Sequence, residues 1–155
     1  MKNKINRTMK RIASMLVTVC ALLIFPSSCH AGGIRITREQ LPEPAVTMLD
    51  KYFPSEQISY IIKDNDIVKV EYEVRFMTGK EVEFNGKGEW KTVDTKPLEV
   101  PSELVPAEIM TSVAGSFPNT AVVKISRKPY KWEIELNNGL EIEFSKDFRV
   151  IEIDD

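Results

Sequence analysis

The stretches "VEYEVRFMTGKEVEF" (70–84) and "YKWEIELNNGLEIEF" (130–144) carry one pattern twice. Each stretch alternates apolar and mostly charged residues, passes through a glycine, and alternates again. A period of two with one apolar face is typical of half-buried antiparallel strands. The glycine suits the left-handed position of a three-residue hairpin loop. Each stretch therefore predicts a β-hairpin.

The length of the hairpin loop sets the register of its strands. A two-residue loop would place apolar residues opposite glutamates, because a shift of one residue turns every side chain to the other face. A three-residue loop ending at Gly79 or Gly139 pairs apolar residues with each other, so we expect that loop in both hairpins. The expected pairs are Val74 with Val82, Tyr72 with Phe84, Ile134 with Ile142, and Trp132 with Phe144.

A helix is expected before each hairpin, in "LPEPAVTMLDKYFP" (41–54) and "VPAEIMTSVAGSFP" (105–118). Both segments have a proline near the first turn, apolar residues at helical spacing, and a Phe-Pro ending that stops the helix. The remaining strands are expected near residues 58–62, 121–125 and 150–153 and around Trp90.

The duplicated pattern predicts an α+β fold built from two tandem repeats, each a helix followed by a four-stranded antiparallel sheet. We expect the two sheets to form one continuous sheet with both helices on one face and the other face exposed. The expected segments are a signal peptide at 1–31, a polar lead-in at 32–40, repeat 1 at 41–94, a linker at 95–104 and repeat 2 at 105–155.

Residues 1–31 have the three parts of a secretory signal peptide. Five basic residues precede an apolar run at 12–25, which is too short for a comfortable membrane span. Pro26 then breaks the run, and cleavage is expected after Ala31. We therefore expect export across the inner membrane to the periplasm, with no membrane span after cleavage.

An alternative export route depends on Cys29. The small residues Ser27 and Ser28 before it loosely match a bacterial lipoprotein box. In that case Cys29 would carry a lipid anchor, and the protein would be a membrane-tethered lipoprotein.

Loss of the leader removes five basic residues and no acidic ones, so the formal net charge changes from −2 to −7. An acidic chain argues against nucleic acid and against anionic membrane surfaces as partners. The leader also contains every cysteine and histidine of the protein, namely Cys20, Cys29 and His30.

A mature domain without these residue types excludes disulfides, Cys–His and Ser–His–Asp catalysis, and ordinary zinc sites. The nucleotide-binding and metalloprotease motifs GxxxxGK[ST], GxGxxG and HExxH are also absent from the sequence. We therefore expect a protein that is not an enzyme and has no cofactor.

The carboxylates of the hairpins are the remaining candidates for chemistry. Glu81 with Glu83, and Glu141 with Glu143, could be offered as the acid/base pair of a glycosidase. Each pair instead sits on the polar side of a strand, where a solvated glutamate is ordinary, and a flat sheet face lacks the required pocket.

The predicted register pairs charges differently in the two hairpins. Arg75 faces Glu81 in the first, which is an attractive pair. Like charges that face one another destabilise a sheet unless neighbours such as Lys124, Lys131 or Arg149 neutralise them. The second hairpin therefore offers either a neutralised surface or an acidic face that docks a basic partner or a cation. The glutamates of that candidate face are Glu133 opposite Glu143 and Glu135 opposite Glu141.

Asp64, Asn65 and Asp66 are expected in a loop at 63–67, where repeat 1 is four residues longer than repeat 2. Their oxygens could bind Ca²⁺ weakly, but Ile67-Val68-Lys69 departs from the calcium-loop pattern and a polar turn is favoured. A small-ligand or cation-binding protein using Asp64 and Asp66 is the alternative function. A glycan-binding platform is not indicated, because Tyr72, Tyr130 and Trp132 fall on the inward side of their strands.

The helix ending in Phe-Pro, followed by Y/W-E-V/I-x-F/L-x-x-G-x-E-V/I-E-F, resembles the PepSY-like periplasmic proteins. The resemblance spans nearly all of the mature chain and implies a β-lactamase-inhibitor-protein-like fold. Members are secreted, mostly from Bacteroidetes, and often carry tandem copies. The resemblance implies non-catalytic binding of an extracytoplasmic protein, with inhibition of an enzyme as one form, and no contact residue of the fold's namesake matches a position here.

Overall fold

The computed structural model describes residues 33–66 and 69–155. The predicted leader, with Cys29, lies outside these residues, as does position 67 of the predicted acidic loop. Within the described residues, no helix is both long and apolar enough to cross a membrane.

The described chain forms two α-helices, α1 at Glu43–Tyr52 and α2 at Ala107–Ser116. Two single-turn 3-10 helices, Arg38–Gln40 and Ser102–Leu104, come shortly before them. The strands are β1 Ile34–Ile36, β2 Ile58–Asp66, β3 Lys69–Phe76, β4 Glu81–Asn85, β5 Trp90–Asp94, β6 Val122–Arg127, β7 Lys131–Leu136, β8 Glu141–Ser145 and β9 Val150–Asp154.

All nine strands lie in one sheet in chain order, and every neighbouring pair is antiparallel. The predicted α+β class with a single antiparallel sheet and two helices is confirmed. The predicted hairpin registers are also confirmed, since Val74 pairs with Val82 and Ile134 with Ile142. Gly79 and Gly139 adopt φ of 90° and 91°, the left-handed conformation expected of the loop.

The structure corrects the predicted polar lead-in and the predicted acidic loop. Residues 34–36 form β1, which pairs with β2 at the edge of the sheet. Residues 63–66 are not a loop, because β2 runs to Asp66 and pairs with β3 as far as Asp66–Lys69. The extra residues of the predicted repeat 1 therefore lengthen the β2–β3 pair.

Tyr130 is a third correction, because its side chain is 88% exposed instead of inward-facing. It precedes the first residue of β7, so the alternation of the strand does not reach it. Tyr72 is buried as expected, and Trp132 is partly buried against the core.

One hydrophobic cluster contains the buried residues of both helices and of alternate strand positions. Ala45 and Leu49 of α1 and Ile109 and Val113 of α2 belong to it. The predicted linker is also packed, because the backbone N–H groups of Thr95 and Val100 donate to β6 carbonyls at 2.9 and 2.8 Å. The strand residues of the hydrophobic cluster include Val74, Val82, Val93, Ile125, Ile134 and Ile142.

Candidate binding surface

The side of the sheet opposite the inward apolar residues carries two rows of polar residues, which we call the acidic face. In the first row each residue pairs with the next across seven strands. Five of its seven members are glutamates, and a Thr–Ser pair lies at its centre. The row is Glu73, Glu83, Thr92, Ser126, Glu133, Glu143 and Glu152.

The second row of the acidic face runs parallel to the first, two residues along each strand. It has five carboxylates and two cations, so the two rows together carry ten acidic and two basic side chains. The row is Arg75, Glu81, Asp94, Lys124, Glu135, Glu141 and Asp154.

Lys131 neutralises the facing glutamates of the second hairpin. Its Nζ lies 2.5 Å from Glu143 Oε1 and 3.0 Å from Glu133 Oε1. Hydrogen bonds to Glu143 and then Glu133 raise the pKa of Lys131 to about 12. Burial raises the pKa of Glu133, but Lys131 and Lys128 together outweigh it and lower the net pKa. The predicted neutralisation is therefore present for this pair.

The other predicted pair is treated differently. Glu135 binds Lys96 of the 95–104 segment at 2.9 Å, whereas Glu141 opposite it makes no ion pair within the described residues. Lys96 also lies 3.4 Å from Asp94. Of the cations predicted to neutralise these glutamates, Arg149 instead binds Asp147 in the adjoining turn.

The carboxylates without an ion pair cluster toward one end of the acidic face. Among the residues that the structure describes, three of the four such members lie on β8 and β9. Because they have no cation of their own, their charge is available to a partner. The four are Glu83, Glu141, Glu152 and Asp154.

The first hairpin is more fully paired. Arg75 contacts Glu81 and lies 3.6 Å from Glu73. Burial raises the pKa of Glu71, but hydrogen bonds from Lys69 and Lys91 outweigh it and lower the net pKa.

A shallow cavity of about 180 Å³ lies on the acidic face beside β2, β3 and β4. Asp64, Glu71, Glu73 and Glu83 line it together with Ile62. Within the described residues, however, no group of three acidic, cysteine or histidine side chains could hold one metal ion. The cavity is therefore a carboxylate-lined depression and not a built metal centre.

A larger cavity of about 490 Å³ lies beside the C-terminal half of α1 and is also lined by residues at the end of β1 and in β2. Arg38 and Asp50, at its rim, form an ion pair at 2.5 Å. Sequence reasoning missed this cavity, because one of its walls follows the unpredicted strand β1. It also missed Glu152 and Asp154 as members of the acidic face, although their alternation with Ile153 carried the signal.

The family model described as "Putative beta-lactamase-inhibitor-like, PepSY-like" matches residues 70–152. A crystal structure described as a "putative periplasmic protein from DUF2874 family", from Bacteroides vulgatus, superposes with a TM-score of 0.77 at 35% identity, covering 79% of this chain and 97% of that one. A second Bacteroides vulgatus periplasmic protein, described as of unknown function, gives 0.75 at 33% identity, with 80% and 100% covered.

The description of a third solved structure refers to regulation by calcium. It is a "putative calcium-regulated periplasmic protein" from Bacteroides thetaiotaomicron, with a TM-score of 0.76, 32% identity, and 79% and 97% of the two chains covered. No curated protein matches this chain.

Proposed function

Since the chain belongs to the PepSY-like family, whose description is beta-lactamase-inhibitor-like, we propose that it is a non-enzymatic binding module that works in the periplasm. Its solved neighbours are described as periplasmic proteins. Nothing in the described residues positively indicates catalysis. The cavity on the acidic face is small, and two of its four carboxylates, Glu71 and Glu73, form ion pairs with lysines or an arginine.

The proposed docking surface is the acidic face. The acidic face is open to a partner if both helices cover the opposite side of the sheet, as the tandem-repeat architecture predicts. Two observations support this: the buried residues of α1 and α2 share one cluster with the inward strand residues, and the glutamates of the acidic face remain partly or fully exposed.

The proposed partner is an extracytoplasmic protein with a basic surface. The two rows carry ten carboxylates against two cations, and Lys96, Lys128 and Lys131 beside them offset part of this charge. The surface keeps a net negative charge, which accelerates encounter with a basic partner. The single observation that carries the proposal is the concentration of carboxylates without ion pairs on β8 and β9, where Glu141 and Asp154 pair in register.

Site-directed photo-crosslinking in cells tests the surface. A photoreactive residue replacing Glu141 is expected to capture one defined envelope protein, whereas the same residue at Glu108 on α2 should not. The captured protein, once purified, should bind more weakly to Glu141→Lys than to wild type, and more weakly as salt concentration rises. Capture from Glu108 alone, or binding insensitive to both Glu141→Lys and salt, would contradict the proposal.

Inhibition of an enzyme is the narrower form of this function, and the family description supports it. A direct assay is the residual activity of the captured protein, if it is an enzyme, with and without an excess of this chain. If the captured enzyme keeps its full activity when it is saturated with this chain, the chain binds the enzyme without inhibiting it.

The second candidate function is cation binding, which is favoured by the neighbour described as a "putative calcium-regulated periplasmic protein" and by the carboxylate-lined cavity. Asp64 lines that cavity, and Asp66 follows two residues later in β2. Calcium chloride should then raise the melting temperature, and Asp64→Asn with Asp66→Asn should abolish the rise, while Asp147→Asn should not. An unchanged melting temperature in wild type would exclude this candidate.

A further inference from the structure

Strand β9 has a neighbour on one side only within the sheet that the described residues form. Every residue of β9 is exposed, including three large apolar ones. Val150, Ile151 and Ile153 are 46%, 56% and 49% exposed. An apolar edge strand presents unpaired backbone groups beside exposed apolar side chains, and this combination favours pairing with another strand.

Strand β5 resembles β9 in sequence and pairing, but its far edge is covered by a further strand, β6. Val93 of β5 pairs with Val82, as Ile153 of β9 pairs with Ile142. The next residue along each strand is also the same, since Asp94 and Asp154 both pair with a glutamate of the preceding strand. Val93 is nevertheless fully buried, because β6 pairs with β5 on its far side.

The chemistry of β6 indicates what suits such an edge. Ile125 pairs with Val93 on the inward side, and Lys124 pairs with Asp94 on the outward side. At the other end of the pair, Arg127 donates from Nε to the Trp90 carbonyl at 2.9 Å and lies 3.9 Å over the Trp90 ring. The strand that covers β5 therefore combines inward apolar residues with one basic residue, Lys124, on its outward side, and a second basic residue, Arg127, stacks on Trp90 from the inward side.

We propose that the free edge of β9 is a docking site for an extended, basic segment of a partner polypeptide, which adds to the sheet as an antiparallel strand beside β9. The segment has an apolar side chain opposite Ile153 and a lysine or arginine opposite Asp154. Glu152 favours a further cation or hydrogen-bond donor. Backbone hydrogen bonds supply affinity, and alternate side chains supply specificity. This inference concerns the edge of the sheet and does not depend on the proposed role of the acidic face.

A second copy of the chain fits this edge less well than a basic segment. Two copies of β9 paired with each other would bring Glu152 and Asp154 of one copy close to the same acidic residues of the other. Like charges across neighbouring strands destabilise a pair. The charge of the edge thus favours a basic partner over self-association.

The test uses the full chain and a synthetic peptide, AVVKISRK, which copies residues 121–128 around β6. Fluorescence anisotropy of the labelled peptide is expected to show saturable binding that weakens as salt rises. Hydrogen exchange is expected to slow at β9 amides and to stay unchanged at β1. A peptide of the same composition with its alternation broken should bind at least about tenfold more weakly.

Ile153→Lys should weaken binding of AVVKISRK by about tenfold or more, and so should the charge reversal Asp154→Lys. Ile34→Lys in β1, an exposed edge position at the other end of the sheet, is the matched control and should bind as wild type does. Circular dichroism and the melting temperature establish that each variant is folded. If Ile153→Lys does not fold, Asp154→Lys still provides the test. Three results would overturn the proposal: no binding, protection of β1 in place of β9, or dimers of the free chain whose formation buries β9.

Discussion

At the scale of single residues, Lys131 illustrates how the sheet tolerates facing glutamates. Lys131→Met is expected to lower the melting temperature by a few degrees at neutral pH, because Glu133 and Glu143 then face each other without a shared cation. Thermal denaturation followed by circular dichroism measures the change. Lys87→Met, in an exposed turn with no ion pair in the described chain, is the matched control and should have little effect.

The pH dependence of this cluster follows from its pKa shifts. Because the pKa of Lys131 is raised to about 12, its contribution is complete below the unfolded value near 10.5 and is lost as pH rises through about 12. The pKa of Glu133 is lowered, so its contribution is complete above about pH 4.5 and is lost as pH falls through the folded value. The destabilisation by Lys131→Met should therefore be largest between these limits, and a difference that stays constant into acid would contradict the assignment.

Glu56 is a second residue with a defined role, since it ties the α1–β2 connection to the first hairpin. Its carboxylate accepts hydrogen bonds from Lys80 Nζ at 2.5 Å and Thr78 Oγ1 at 2.6 Å, and both ion-pair side chains are only 15% exposed. Glu56→Gln is expected to cost about 1 kcal/mol of unfolding free energy at pH 7, measured by urea denaturation.

The acid sensitivity of that contribution separates charge from packing. Hydrogen bonds from Lys80 and then Thr78 lower the pKa of Glu56, so its stabilisation is present above about pH 4.5 and disappears as pH falls through the folded value. Wild type and Glu56→Gln should therefore converge in stability at low pH. If wild type and Glu56→Gln differ in unfolding free energy by the same amount at pH 7 and at low pH, the substitution acts through lost packing instead.

At the scale of elements, the β4–β5 turn is fitted against the start of α1. Gly88 has φ of 80°, and a Cβ added there would lie 2.8 Å from Pro42 Cβ and 3.0 Å from the Ala45 backbone nitrogen. Gly88→Ala is expected to cost about 2 kcal/mol or more, because steric crowding adds to the left-handed strain. Gly79→Ala has the same strain with open space around it and should cost about 1 kcal/mol. Equal costs in urea denaturation would mean that the turn and helix do not fit closely.

The strands whose register the sequence predicted are those with several alternating residues and a turn glycine. The strands β3, β4, β7 and β8 meet that condition, and their registers follow from it. Strand β1 does not, because three residues are too few for a pattern and its pairing with β2 is long-range. The end of β2 was missed for a related reason: aspartate and asparagine are disfavoured in strands, and pairing with β3 overrides that preference.

The candidate surface was predictable to the extent that register is local. Glu133 with Glu143 and Glu135 with Glu141 follow from one hairpin loop, and Lys131 is close enough in sequence to be considered as their cation. Lys96 was not predicted beside Glu135, because the contact depends on how residues 95–104 pack across β6. Long-range contacts of this kind leave no periodic signal in the sequence.

At the scale of the whole molecule, the two predicted repeats are joined by a continuous core at the β5–β6 pair. Val93 and Ile125 pair there with no exposed surface, and Thr92 and Ser126, both buried, lie 3.2 Å apart through their hydroxyl oxygens. Because the β5–β6 contact is as well packed as the interior of each predicted repeat, the two repeats should unfold together. Separate unfolding would instead require this apolar surface to be exposed to water.

Ile125→Ala tests that coupling. The substitution is expected to lower the unfolding free energy by about 2–5 kcal/mol, because it leaves a cavity between Val93 and Ile134. Ile151→Ala, an exposed apolar residue on β9, should change it by less than about 0.5 kcal/mol. Amide exchange across a urea titration should show β3 and β7 losing protection at one midpoint in wild type, and at one lower midpoint in Ile125→Ala. Two separate midpoints in wild type would show that the predicted repeats are independent folding units joined by a weak seam, despite the buried pair between them.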